Sequence, residues 1–128
     1  MAVVNIRESD YDVYIGRGMG RGVDYRNKSW GNPFKVGVDG NLTQVILMYE
    51  NHLINELLSG KKTQDDLRAL HGKTLGCYCK PNPCHGDVID KFIDLAVRLD
   101  PMEFEIRLKV LESWMPGLYV MQGIEMEV

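Results

Sequence analysis

The chain has 128 residues, enough for one domain with a real apolar core and no need of disulfide staples. It is 45% apolar and 26% charged with a net charge of −3, which argues against general DNA binding while leaving room for a local basic patch. Met1–Asn5 lacks the pattern of a secretory signal, no apolar run approaches the ~20 residues that span a bilayer, and the three cysteines crowd between Cys77 and Cys84. The expectation is therefore a cytoplasmic protein with reduced thiols and no membrane association.

Val3, Val4 and Ile6 open a strand-like run, and Asp12-Val13-Tyr14-Ile15 repeats it ahead of Gly16. From Gly16 to Gly40 the glycines and the Asn32-Pro33 step predict one long loop, and Tyr25, Trp30 and Phe34 favour an ordered one. Leu42, Val45, Ile46, Tyr49, Leu53 and Leu57 then recur at helical spacing, with Gly60 as the stop. Thr63 and Asp66 make a capping-box pattern for a short helix ended by Gly72, and Lys73 to Cys79 reads as a strand.

A second long helix is expected from about Gly86, striped by Val88, Ile89, Phe92, Ile93, Ala96 and Val97 and ended by Asp100-Pro101. Phe104, Ile106, Leu108 and Val110 alternate with Glu105, Arg107 and Lys109, which reads as a half-buried strand, and Tyr119 to Met126 as an added edge strand. The fold class that follows is α/β: a small single-domain sheet with helices packed on it. Its core covers residues 1–99, and a strand-like extension over 100–128 packs on that core or on a protein partner. In such sheets ligands bind outside the carboxyl ends of strands, here the loops after Ile15 and after Cys79.

The second of those loops carries the chemistry. Gly76-Cys77-Tyr78-Cys79-Lys80-Pro81-Asn82-Pro83-Cys84-His85-Gly86-Asp87 runs from the strand through a proline-stiffened turn into the helix. One reading is a zinc site of Cys77, Cys79 and Cys84 with His71 or His85, although Cys-x-Cys is tighter than the usual ligand spacing. A second makes Cys84 an activated nucleophile at a helix N-terminus, aided by His85 or Lys80, or has a hydrolase use Cys84 or Asp87 with His85, although Asp87 in the first turn would repel an anionic substrate. A third is a ligand pocket in which Cys79, Gly86 and the backbone N–H groups of the turn meet a phosphate or other polar group. Against all three stands tight packing of small, buried cysteines where strand, turn and helix meet.

The first loop offers Gly16-Arg17-Gly18, where glycine neighbours let an arginine approach a phosphate closely. Further on, Trp30 and Phe34 could stack on a base and Asn32 could orient it, or the two aromatics could be an anchor that pins the loop. His52 falls on the polar side of the first long helix and reads as solvated.

Val13-Tyr14-Ile15-Gly16-Arg17, Gly31-Asn32-Pro33-Phe34 and the Cys-x-Cys-x4-Cys-His-Gly-Asp string together resemble the family named domain of unknown function 4326, over about Val4 to Ala96. These are small proteins of bacteria and their phages. The resemblance implies no activity and no cofactor, but it ties Gly16, Arg17, Asn32, Pro33, Cys77, Cys79, Cys84, His85 and Asp87 into one pattern and so into one shared site. The leading expectation is a small-molecule pocket for a nucleotide or a nucleotide-derived ligand. The rivals are a zinc-stapled protein-interaction module and a hydrolase acting on a nucleotide-like substrate.

Overall fold

The computed structural model describes residues 3–16, 30–77 and 82–124. Three short strands, β1 (Val3–Asn5), β2 (Val13–Tyr14) and β3 (Leu75–Cys77), form one parallel sheet in the order β1-β3-β2. Val3 pairs with Leu75 and Val13 also pairs with Leu75, so both outer strands start level with the central one. Asp12 fixes that register: its N–H donates to the Thr74 carbonyl at 2.8 Å, and its carboxylate accepts the Thr74 N–H at 2.8 Å. Period two sends Leu75 and Cys77 to the face that carries the core and Gly76 to the other, where Ile6 and Tyr11 leave no room for a side chain.

Four helices complete this small α/β domain: α1 (Leu42–Ser59), α2 (Gln64–Arg68), α3 (His85–Arg98) and α4 (Pro101–Met121). Each begins on a side chain suited to the task. Asn41 and Gln44 form a capping box on α1, Thr63 and Asp66 one on α2, and Cys84 and Asp87 one on α3. Gly60 ends α1 with φ of 83°, a left-handed conformation that glycine adopts without a steric penalty. The last carbonyls of α3 are taken up by α2: Gln64 and Arg68 both donate to Ala96 and Leu99 at 2.8–3.0 Å.

Helix α1 packs against α3 and α4, and α2 packs against α3. Tyr49, Leu53 and Ile54 of α1, Ile89, Phe92 and Ile93 of α3, and Phe104, Leu108 and Met115 of α4 share one apolar cluster with the sheet.

The segment read as a strand over 104–110 and the start of the edge strand read from Tyr119 are corrected by α4, while residues 125 and 126 of that edge strand lie outside the described residues. Phe104, Leu108, Leu111, Met115 and Tyr119 are the buried positions, and their spacing is helical. The alternation over seven residues came from Ile106 and Val110, which are apolar but exposed. Asp100 and Pro101, read only as a stop, also start the new helix. The Asp100 side chain accepts the Glu103 N–H at 2.8 Å and Pro101 fills the first helical position. That hydrogen bond holds the Asp100 carboxyl below its ordinary value.

Candidate functional site

Because the sheet is parallel, β2 and β3 both deliver their chain exits to one edge. A cleft of about 670 Å³ opens there. Its floor is Tyr14, Gly16, Cys77, Cys84 and His85, and its wall is the 32–38 segment with Leu42, Val45 and Ile46 of α1. Three stretches distant in sequence therefore meet at one place, the carboxyl edge of the sheet where ligands bind in α/β folds.

The floor is shaped by close packing. Ile15 is fully buried; its N–H donates to the Gly76 carbonyl at 2.9 Å and its carbonyl faces His85 Nε2 at 2.6 Å. A carbonyl only accepts, so that imidazole nitrogen carries the proton and His85 clamps the start of α3 to the end of β2. The ring also stands edge-on to Tyr49, with centroids 4.9 Å apart. Gly16 lies under the Tyr14 phenol, whose oxygen comes within 2.2 Å of where a Cβ would stand. Gly86 is equally confined: a Cβ there would meet Val3 at 2.7 Å and Ile15 at 2.8 Å, so only glycine lets α3 rest this close to the sheet.

Cys77 and Cys84 are both buried, with their sulfurs 3.5 Å apart. Cys84 caps α3 through its sulfur, which accepts the Gly86 N–H at 3.3 Å, while Asp87 returns a bond to the Cys84 N–H at 3.1 Å. The Asp87 side chain belongs to that capping box and borders a different, smaller cleft of about 400 Å³ with His71, Asp90, Lys91 and Asp94. His71 thus sits on another surface from the Cys77–Cys84 pair, and His85 is the histidine beside the thiols. Among the described residues no group of three or more His, Cys, Asp or Glu side chains is arranged to hold a metal ion.

Asn32 is buried and structural. Its amide donates to the Val45 carbonyl at 3.2 Å and its oxygen accepts the Phe34 N–H at 2.9 Å, so it ties the wall to α1 and sets the position of Phe34. Trp30 does not line the cleft. It is packed in the core, its carbonyl accepts the Tyr49 hydroxyl at 3.0 Å, and Lys62 stands 5.3 Å over its ring. Of the two aromatics read as stacking or anchoring, Trp30 is an anchor and Phe34 faces the cavity. Lys62 is itself buried and paired with Glu56 at 2.7 Å, and the same carboxylate meets His52 at 2.8 Å. His52 is therefore half-buried and paired, where the sequence pattern suggested solvent. Burial, with the nearby Glu56 charge, pushes the Tyr49 hydroxyl well above its ordinary value.

Arg17 and Cys79 lie outside the described residues. Lys35, Val36, Val38, Leu42 and Ile46 were not singled out by motif, yet they build the wall. Leu42 and Ile46 were legible only as part of the apolar stripe of α1, and Lys35, Val36 and Val38 only by their place between Phe34 and that helix.

A protein of Enterobacteria phage T4 named "Uncharacterized 12.4 kDa protein in nrdA-td intergenic region" is 38% identical over 99 residues, which is 77% of this chain and 82% of the phage protein. No solved structure matches the chain. The family described as "Domain of unknown function (DUF4326)" matches residues 4–95, from β1 through nearly all of α3, and the chain belongs to that family.

Proposed function

We propose that the cleft at the carboxyl ends of β2 and β3 binds a nucleotide or a nucleotide-derived small molecule. The observation that carries this reading is the convergence of Gly16, Asn32, Phe34, Cys77, Cys84 and His85 on one cavity of about 670 Å³. That volume falls within the ~300–1,000 Å³ of ordinary small-molecule sites, and the mostly apolar wall with few polar groups matches their character. Phe34 offers a ring to a base. Lys35 offers a positive charge to an anionic group. Asn32 acts by holding Phe34 in place.

A thermal-shift panel of nucleoside mono-, di- and triphosphates and dinucleotides tests the proposal. A ligand present at a hundred times its Kd adds about 2.7 kcal/mol, or roughly 10 °C in Tm for a domain of this size. Phe34→Ala should remove most of that shift. A Tm unmoved by every member of the panel would reject the reading.

The 3.5 Å between the Cys77 and Cys84 sulfurs favours a second reading, in which the pair chelates zinc with further ligands. Two thiolates on one tetrahedral zinc sit ~3.8 Å apart, given zinc–sulfur bonds of about 2.3 Å. Native mass spectrometry of untagged protein separates the two: a mass excess of one zinc ion supports chelation, a nucleotide-sized excess lost on denaturation supports the pocket.

A further inference from the structure

The cleft floor holds two thiols that the nucleotide reading does not use. Cys77 closes β3 and Cys84 caps α3, and their sulfurs stand 3.5 Å apart. Both backbones are anchored. The Cys77 carbonyl accepts the Ile6 N–H at 3.1 Å, the Cys84 carbonyl accepts the Asp87 N–H at 3.0 Å, and the Asp87 carboxylate accepts the Cys84 N–H at 3.1 Å. The fold therefore brings the two sulfurs together and holds the chain on either side of them. A disulfide needs ~2.05 Å between sulfurs, so from 3.5 Å the bond closes with about 1.5 Å of movement. Rotation of the Cys84 side chain supplies that movement and disturbs only a weak bond, from the Gly86 N–H to its sulfur at 3.3 Å. Both residues are buried, and the cleft of about 670 Å³ that they line is the route by which a small oxidant reaches them.

We infer that Cys77 and Cys84 are a redox-responsive pair, closed by a disulfide oxidant such as glutathione disulfide into an internal bond that staples the end of β3 to the start of α3. One cysteine sulfur attacks glutathione disulfide, which releases one glutathione and leaves a mixed disulfide. The second cysteine then attacks the sulfur of the first and releases the other glutathione. One sulfur–sulfur bond is exchanged for another, and each cysteine hydrogen ends on a glutathione thiol. A thiol reductant runs the same steps backwards. The inference needs no ligand in the cleft, so it stands or falls apart from the nucleotide reading. It excludes the zinc reading, because a metal held by both sulfurs would block the bond.

Thiol counting in glutathione buffers tests the inference on the folded full chain, with its zinc content measured as purified. The expected result is a mass loss of two hydrogens with two thiols withdrawn from alkylation, both restored by dithiothreitol. In the wild-type chain, chymotryptic cleavage after Tyr78 parts Cys77 from Cys79 and Cys84, and fragmentation of the joined peptides should place the link at Cys84. Cys79→Ser should close the same bond. At fixed reduced glutathione, the folded chain should reach half oxidation at a glutathione-disulfide concentration at least about tenfold lower than the same chain in urea, since only the fold holds the sulfurs in contact. Thiols that stay reduced throughout overturn the inference, as does a lasting glutathione adduct without the internal bond. A link from Cys77 to Cys79, closure as easy in urea as in the fold, or a zinc-loaded chain whose thiols resist the buffer overturns it equally.

Discussion

Several side chains that the motif reading marked for chemistry also carry structural hydrogen bonds. Cys84 caps a helix through sulfur, Asp87 closes the same capping box, and Asn32 spends both ends of its amide on backbone groups. Each was legible as special because its residue type is unusual at its place. What the local sequence could not tell is which partner would claim it. Tyr49 is a case with a measurable consequence. Its hydroxyl is buried against the Trp30 carbonyl and stays protonated well above its ordinary value of 10.0. A group whose folded pKa is raised contributes stability that is complete below the unfolded pKa and is lost as pH rises beyond it. Chemical denaturation followed from neutral pH upward should therefore show stability falling above about pH 10 as the unfolded chain ionises. Tyr49→Phe should reduce that slope, and at neutral pH it should lower stability by about 1 kcal/mol for the lost hydrogen bond.

Among the elements, α1 was read from its apolar stripe and its Gly60 stop, and α2 from its Thr63–Asp66 capping pair; the Asn41 cap of α1 was not singled out. α1 and α2 begin on the Asn41 and Thr63 capping boxes and α1 stops at Gly60, because the first four N–H groups and the reversal at the end are problems solved locally. α4 was misread for a physical reason: Ile106 and Val110 are apolar without being buried, so a short window showed a period of two. The glycine opening α3 illustrates a constraint that no helical pattern reveals. Gly86→Ala should cost about 1–3 kcal/mol by overpacking, since the new methyl would press on Val3 and Ile15 beneath the helix. Equilibrium urea unfolding measures it directly. A neutral result would mean that α3 can lift from the sheet without loss, against the tight seat described for it.

At the scale of the whole molecule, α4 matters most, because it lies beyond the family match yet inserts Phe104, Leu108, Leu111, Met115 and Tyr119 into the common core. A chain with one apolar core unfolds as one unit. Phe104→Ala should destabilise the protein by about 3–5 kcal/mol and still give a single transition whether followed by fluorescence or by circular dichroism. Two separated transitions would show α4 to be an independent addition. No helix among the described residues is long and apolar enough to cross a membrane.

Composition, a capping pair and apolar stripes were sufficient for the α/β class and for three of the four helices, and the family resemblance supplied the idea that the glycine, asparagine and cysteine motifs share a site. Caps and stripes are properties of neighbours in sequence, set by backbone hydrogen bonding and by the period of burial. The tertiary structure decided the rest. It sorted Trp30 into the core and Phe34 into the cleft, moved Asp87 and His71 to another surface, and left one face of α4 uncovered. Such outcomes depend on which segments arrive at the same edge of the sheet, and contacts between residues far apart in sequence leave no periodic trace along the chain.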